Sequence, residues 1–405
     1  MNILLINHYA GSPEMGMEFR PYYFAGEWTK MGHRVDIIAG DYSHLRTKNP
    51  EVGEDFQEED IDGIKYHWIK TGQYEGNGAK RAFTMFRFVG KLWAKAGKIV
   101  KECKPDVVIT SSTYPLDTYA GQRIAKKAKA KLIHEVHDMW PISPMELGGM
   151  SKRHPFIVLM QMAEDSFCRK SDHVVSLLPN AKEYFMAHGM AESKFVCVAN
   201  GIVRKEWEDP EPLPVEIKEK LDQIKEGCGF LLCFFGSHTR SYAVGYLIDA
   251  VKQFSPHEIG VVLVGDGTDK KRLQGISRES ANIHFLDPVP KKYIPSLLDM
   301  ADGIYVGAAK NRMFRFGICM NKLFDAMMSG KPMLYAVDAP NNYIQEFGCG
   351  ISVPPEDTEK LVRGIRELVS VPEEERREMG ERGRQAVLRH FTYDILSERF
   401  AALFG

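Results

Sequence analysis

The sequence predicts an α/β protein of two doubly wound domains, and three observations support this fold class. Its 405 residues are enough for two or three domains of about 150 residues each. Short apolar runs of strand length alternate with longer stretches of helical period, as in βα units around a parallel sheet. A proline-rich segment, residues 209–214, can continue neither a helix nor a central strand, and the alternation restarts after it.

The candidate strands follow one another along both halves. In the first half they cover residues 2–7, 35–39, 107–110, 132–136, 173–177 and 195–198. In the second half they cover residues 229–235, 260–264, 283–286, 303–306, 332–335 and 350–353. We therefore expect an N-terminal domain over residues 1–200, a C-terminal domain over 201–385, and a closing helix over 386–405 that packs back on the N-terminal domain.

Composition excludes several classes of protein. The 53 Lys and Arg residues nearly balance the 54 Asp and Glu residues, which argues against a polyanion binder and hence against a nucleic-acid partner. Seven cysteines without any Cys-x-x-Cys pair indicate neither a disulfide framework nor a zinc site, and favour a reducing cytoplasm. No apolar run approaches the ~20 residues that a membrane-spanning helix needs.

Two glycine turns follow candidate strands. Gly16 stands at the expected start of the first helix, where a ligand could approach backbone amides. Gly265 lies in a turn after the strand at 260–264. Neither turn has the Gly-x-Gly-x-x-Gly or P-loop spacing, so a dinucleotide fingerprint is not supported. Ordinary βα turns that bind nothing are the alternative in both places.

The most informative stretch is residues 312–332. A loop with three cationic residues runs into a helix predicted to begin near Asn321, whose free amides and positive dipole end suit a diphosphate. Asp325 lies one turn into that helix, where its carboxylate could accept hydrogen bonds from both vicinal hydroxyls of a ribose. The alternative is an acid that the helix dipole alone stabilises in a first turn.

In their order and spacing, these motifs resemble glycosyltransferase family 4, retaining enzymes of GT-B fold that use nucleotide sugars. The resemblance rests on the opening strand with its glycine loop, Gly32-His33-Arg34-Val35, Asn200-Gly201-Ile202, Val264-Gly265-Asp266-Gly267, and the stretch from Asn321 to Pro332. It implies two Rossmann-like domains facing a central cleft, with the nucleotide sugar, most often UDP-linked, on the C-terminal half and the acceptor on the N-terminal half.

The resemblance also suggests which residues bind the donor, with one departure. The family's Glu-x7-Glu motif is incomplete, because Asp325 takes the second acidic place while Gly317 stands at the first. A closer pattern is the Ser-Pro-Asn-Lys-Leu-Phe-Asp motif of bacterial O-antigen and capsule transferases, with Cys319 and Met320 replacing serine and proline. The donor-binding candidates are Gly16, Gly236, Arg240, Gly265, Gly317, Lys322, Leu323 and Asp325.

A second polar cluster, His134-Glu135-Val136-His137-Asp138, ends a strand at the carboxyl edge where α/β sheets bind ligands. Two histidines three residues apart on a strand point to opposite faces, which argues against a metal site. The resemblance suggests that His137 or Asp138 faces the reacting sugar, with Glu135 supporting the loop. The alternative is that these residues only cap the following turn.

Residues 80–104 carry eight basic residues against one acid, with aromatic residues interleaved. This pattern suits a basic amphipathic helix on the inner face of an anionic plasma membrane, or equally a helix packed on its own sheet with solvated lysines. The only Asp-x-Asp, residues 60–62, resembles a surface turn before a strand at Ile64, so we expect neither metal nor cofactor.

The expected function is retaining transfer of a sugar to a glycan acceptor, lipid-linked as the resemblance implies, in bacterial surface polysaccharide synthesis. A nucleotide-sugar epimerase of the same fold would bind the same donor but need no acceptor. An NAD-binding oxidoreductase is a third class, against which the missing fingerprint argues. A carbohydrate-binding protein without activity would have no evident use for a cationic helix start beside Asp325.

Overall fold

The computed structural model describes residues 1–16, 19–76 and 78–405. The chain forms two compact units, one of Met1–Ala199 with Leu396–Gly405 and the other of Asn200–Ile395. The sequence places its boundaries after residues 200 and 385. The second of these falls inside a helix, and the units divide ten residues later.

In the N-terminal unit, the described residues form one eight-stranded sheet of order β3-β4-β2-β1-β5-β6-β7-β8. The strands are β1 Asn2–Ile6, β2 Arg34–Gly40, β3 Gln57–Ile61, β4 Ile64–Ile69, β5 Val107–Thr110, β6 Lys131–Val136, β7 His173–Ser176 and β8 Phe195–Cys197. All neighbours are parallel except β3 and β4.

The described N-terminal unit has six α-helices before its last strand, β8. They are α1 Phe19–Lys30, α2 Ala79–Cys103, α3 Asp117–Ala128, α4 Ile142–Glu146, α5 Pro155–Lys170 and α6 Lys182–Ala187. Alternation of strand and helix gives the doubly wound arrangement that the sequence predicts.

The C-terminal unit has a six-stranded parallel sheet of order β11-β10-β9-β12-β13-β14. Its strands are β9 Phe230–Phe235, β10 Ile259–Val264, β11 Ile283–Leu286, β12 Gly303–Gly307, β13 Met333–Ala336 and β14 Gly350–Ser352. Its helices are α7 Lys205–Glu208, α8 Val215–Glu226, α9 Val244–Val251, α10 Lys270–Ile276, α11 Ile294–Asp299, α12 Asn321–Met328, α13 Tyr343–Phe347, α14 Thr358–Ser370 and α15 Glu373–His390. The last helix, α16 Tyr393–Ala401, begins in this unit and ends in the N-terminal unit.

Every predicted strand is present, including the one at Ile64, and the structure adds β3, which forms a hairpin with β4. The sequence of β3 is almost entirely polar, so it gives no apolar period, and the strand is held at the sheet edge by backbone pairing with β4. Asp62 and Gly63 turn the chain with φ angles of 54° and 80°. Of the Asp-x-Asp, Asp60 and Ile61 therefore end β3, and only Asp62 lies in the predicted exposed turn before β4.

The predicted single helix over 386–405 is wrong, because the segment contains the end of α15 and all of α16. Between them, the chain at Phe391 and Tyr393 pairs with Ile202 through backbone hydrogen bonds of 2.9 and 3.0 Å, which stop the helix. Residues after Ile395 belong to the N-terminal unit, where Trp28 packs on Phe400 at 5.1 Å between ring centroids.

The basic segment, residues 80–104, lies almost entirely in the long helix α2, and the contacts of α2 show how it packs. Its apolar face, including Phe88, Leu92 and Ile99, lies in the core of the N-terminal sheet. Phe83, Phe86 and Trp93 point outward and are exposed. Packing on its own sheet is thus the correct prediction for the apolar face. Among the described helices, none is both long enough and apolar enough to cross a membrane.

Candidate functional site

In the C-terminal unit, the loops after β9 and β10 pack backbone against backbone. Gly236 donates to Val264 O at 2.9 Å, and His238 donates to Asp266 O at 2.8 Å. A Cβ atom on Gly265 would stand 2.0 Å from the carbonyl oxygen of Gly236, so this approach requires glycine. The two loops border a cleft of about 250 Å³ at the carboxyl ends of their strands.

Lys322, in the first turn of α12, reaches beneath Gly236. Its Nζ lies 3.4 Å from the ring centroid of Tyr242 and 4.7 Å from that of Phe234. This nitrogen is buried and has no hydrogen-bond partner among the described residues. Burial lowers the pKa of Lys322 to about 7. An anion arriving at the loop would supply the missing partner and favour the charged amine.

Asp325 lies one turn further along α12 and is partly buried. Burial raises its pKa to about 6; the charge of Lys291 opposes this rise, and Glu206 adds to it. Lys291 and Glu206 also pair with each other at 3.3 Å. The start of α12 therefore places an amine that lacks a hydrogen-bond partner within the described residues against the glycine loop at Gly236, and a carboxylate one turn further along the helix. The sequence did not single out Lys291 or Glu206.

The remaining donor candidates differ in what they can offer. Arg240 is 85% exposed in its side chain, and its Nε lies 3.8 Å from Asp269. Leu323 is completely buried, so only its backbone could touch a ligand. Gly317 is buried with φ of 100°, a conformation that glycine favours. Gly16 belongs to the N-terminal unit, ending a short turn with φ of 96°.

In the N-terminal unit, the strand-end cluster centres on Glu135. Its Oε1 accepts two hydrogen bonds from Arg20, at 2.8 and 3.0 Å. Its Oε2 accepts one from Ser111 Oγ at 2.5 Å and lies 3.0 Å from His137 Nε2. Burial raises the pKa of Glu135, but Arg20, His137 and Ser111 outweigh burial and hold this pKa well below its usual range. Glu135 is therefore ionised.

This network fixes the imidazole of His137, since Ser111 Oγ also lies 2.8 Å from its Nε2. Asp138 follows with an exposed side chain. His134 instead stacks on Phe167 at 3.8 Å and contacts Thr110, so the two histidines face opposite ways, as predicted. Sequence reasoning missed Arg20 and Ser111. A signal existed for Ser111, a hydroxyl directly after a strand at the same sheet edge.

Two clusters that could ligate a metal do occur in the described part of the chain. They are Asp36 with His67 and Cys103, and Glu164 with Asp165 and His188. Neither includes a residue of the two clusters described above. Asp36 lies 2.8 Å from His67 and is paired at 3.0 Å with Arg34, whose guanidinium already balances its charge.

Comparison with known families decides the class of protein. Residues 15–201 match the model of a glycosyl transferase 4-like domain, and residues 217–386 match that of glycosyl transferases group 1. The chain is a GT-B glycosyltransferase. No curated protein matches its sequence significantly. The matches favour the transferase over the epimerase and the oxidoreductase considered from sequence.

Solved structures share the fold of this GT-B glycosyltransferase over nearly its full length. Sucrose-phosphate synthase from Thermosynechococcus elongatus is 15% identical, with a TM-score of 0.73 over 99% of this chain and 98% of that chain. HepE from Anabaena, in complex with UDP and glucose, is 16% identical, with a TM-score of 0.66 and the same coverage. WaaG, a glycosyltransferase involved in lipopolysaccharide biosynthesis, is 16% identical, with a TM-score of 0.65 over both whole chains.

Proposed function

We propose that this GT-B glycosyltransferase moves a sugar from a UDP-sugar to a glycan acceptor with retention of configuration. The observation that carries the proposal is the pairing of Lys322 with Asp325 on successive turns of α12, beside the glycine loops. A buried amine without a partner suits a diphosphate, and a carboxylate one turn away suits a ribose. The fold of HepE, which binds UDP and glucose, supports a uridine nucleotide.

Each group has a role in this proposal. Lys322 and Arg240 stabilise the charge that develops on the diphosphate as it leaves. Asp325 orients the ribose. His137, held by Glu135 and Ser111, and Asp138 act on the sugar and acceptor side. The acceptor hydroxyl attacks from the face that the nucleoside diphosphate leaves. Gly317 stands at the first acidic position of the family's Glu-x7-Glu motif, so no carboxylate acts on the donor sugar from that position.

A nucleotide screen tests the donor assignment. We expect UDP to raise the melting temperature of the full-length protein more than GDP, ADP or NAD, each at the same concentration. Release of UDP from a UDP-sugar should then depend on an acceptor. Turnover that interconverts two UDP-sugars without acceptor would indicate the epimerase, and stabilisation by NAD alone would indicate the oxidoreductase.

We further propose that the acceptor glycan is carried on a lipid diphosphate in bacterial surface polysaccharide synthesis, at the cytoplasmic face of the plasma membrane. Two observations support this context. The motif around Asn321 resembles that of O-antigen and capsule transferases. The fold is shared with WaaG, a glycosyltransferase involved in lipopolysaccharide biosynthesis.

Contact with an anionic membrane through residues 80–104 should involve only the outward side chains of α2. Lys91 donates to Asp55 at 2.7 Å and is committed to the fold, whereas Lys80 and Lys95 are exposed. We expect Lys80→Glu/Lys95→Glu to reduce sedimentation with anionic vesicles at low salt severalfold. The control is Lys220→Glu/Lys271→Glu in the C-terminal unit. Equal sedimentation of both double variants would contradict this contact.

Transfer should survive chelation of divalent metals. The residues proposed to stabilise the leaving diphosphate are cations and helix amides, which replace the Lewis acid used by metal-dependent transferases. Initial rates with and without excess EDTA, after passage of the enzyme over a chelating resin, should agree within twofold. Loss of activity that manganese or magnesium restores would refute metal independence.

Binding of UDP should be accompanied by proton uptake at pH 8. Because the pKa of free Lys322 is about 7, the amine is mostly neutral at pH 8, and a bound diphosphate would raise this pKa and draw in close to one proton. At pH 6 the uptake should vanish. Calorimetry in two buffers of different ionisation enthalpy measures the number of protons taken up. The Lys322→Met variant should lose this uptake, and the control variant Lys271→Met should keep it. No uptake by wild type would contradict this role.

A further inference from the structure

An apolar groove of about 710 Å³ opens on the surface of the N-terminal unit. Its walls come from the start of α2, the α4 region and the start of α5, with Ala82, Met85, Leu147 and Phe156 among the lining residues. Trp140, which also lines it, stands two residues after Asp138. The groove therefore begins beside the strand-end cluster proposed to act on the acceptor.

Large apolar side chains around this groove are exposed to water. Leu147, in its wall, is 60% exposed, and Phe83 and Phe86 on α2 are 58% and 42% exposed. Phe86 also meets the groove residue Phe156 edge to face, at 6.5 Å between ring centroids. Contiguous exposed apolar surface of this kind marks a binding site for an apolar group.

The rim of the groove is basic. Arg81 lines the groove, Lys80 lies between two lining residues in the chain, and Lys152 and Arg153 precede the lining residue His154. The helix α4, which contributes to the wall, carries one acidic residue, Glu146. Apolar walls with a cationic rim are complementary to a molecule that joins a hydrocarbon chain to an anionic group.

Arg81 connects the groove to the strand-end cluster. It lines the groove, and its Nε lies 3.3 Å from the hydroxyl of Tyr9, whose ring it also covers at 5.3 Å. Its charge reaches Asp138, where surrounding protein raises the carboxyl pKa and the charges of His137 and Arg81 oppose that rise. Arg81 thus belongs both to the groove lining and to the charged surroundings of Asp138.

We propose that this groove binds the hydrocarbon chain of a lipid phosphate acceptor, with the phosphate at Arg81 and the attached sugar at Asp138. The inference rests on the proposed sugar transfer and adds to it a place for the acceptor's chain. The occupant is a linear hydrocarbon esterified to phosphate or diphosphate, because the apolar lining of the groove includes one cation, Arg81, whose charge also acts on Asp138.

Direct binding to the full-length protein, without any donor, tests the groove. The probes are farnesyl phosphate, farnesol and inorganic phosphate, followed by quenching of tryptophan fluorescence and by calorimetry. We expect farnesyl phosphate to bind at least tenfold more tightly than farnesol, and inorganic phosphate to show no measurable binding. Leu147→Asp should weaken farnesyl phosphate at least tenfold. Arg81→Gln should weaken farnesyl phosphate but leave farnesol unchanged.

Val215→Asp is the matched control, because Val215 is 65% exposed on α8 in the other unit. Equal affinity of wild type and Leu147→Asp for farnesyl phosphate, or no binding by wild type, would overturn the proposal that the groove binds the hydrocarbon chain. Transfer to a chain-free glycan as efficient as to its lipid-linked form would also overturn it, while leaving the transferase proposal standing. Binding of the lipid in the groove without any sugar transfer would support the groove and contradict the proposed transfer.

Discussion

Replacing Arg20 with alanine should lower the free energy of unfolding of the N-terminal unit by about 3 to 5 kcal/mol. The side chains of Arg20 and Glu135 are 4% and 3% exposed, so the substitution would leave a buried carboxylate without its cation. Arg20 also donates to the carbonyl oxygens of Val198 and Ala199, at 2.8 and 2.6 Å. Its loss therefore frees three buried acceptors at once.

Fluorescence during urea denaturation measures this effect, because four of the five tryptophans lie in the N-terminal unit. Lys30→Ala, which breaks the surface pair of Lys30 with Glu27, is the control and should cost below about 1 kcal/mol. The double variant Arg20→Met/Glu135→Met should be more stable than Arg20→Ala, since no buried charge then lacks a partner. A loss below about 1 kcal/mol in Arg20→Ala would contradict this account.

The pH dependence of this contribution follows from the lowered pKa of Glu135. A carboxyl whose pKa is lower in the folded state stabilises the fold above its unfolded pKa, about 4.3, and loses that contribution as the pH falls toward the folded value. Wild type should therefore lose stability below pH 4 more steeply than Glu135→Gln.

The sequence predicts the fold class because apolar strands are buried on both faces and read as continuous runs. β9 and β10, for example, are buried at every residue. β3 escaped prediction because its strand is defined by hydrogen bonds at a sheet edge and not by burial. The break before α16 also escaped, since it depends on pairing with Ile202, some 190 residues earlier.

In the candidate site, too, residues with a local sequence signal could be predicted, whereas residues that depend on distant partners could not. Asp325 and Lys322 could be named from sequence because both lie near the start of one predicted helix that follows a cationic loop. Arg20 could not, because its partner Glu135 is 115 residues away and its own surroundings are those of an apolar helix. Lys91 shows the converse, since its position in a basic run suggested a free surface cation, whereas Asp55 binds it.

Replacing Asp325 with alanine should weaken UDP binding about 10- to 150-fold without unfolding the protein. This range corresponds to the ~1.5 to 3 kcal/mol that hydrogen bonds to a charged group contribute. Stability at neutral pH should not fall, because a pKa raised to about 6 means that the fold disfavours the ionised carboxylate. Calorimetry and thermal denaturation on the same samples separate the two quantities.

The affinity of wild type for UDP should also decrease as the pH falls through about 6, because protonation of Asp325 leaves fewer acceptors for the ribose hydroxyls. Asp325→Ala should lack that decrease, and Asp325→Asn should bind with intermediate affinity, since its amide keeps one acceptor oxygen. Asp222→Ala, which removes a half-buried acid on α8, is the control and should bind UDP like wild type. If Asp325→Ala retains wild-type affinity at pH 7.5, the carboxylate is not the ribose ligand and the donor assignment of α12 fails.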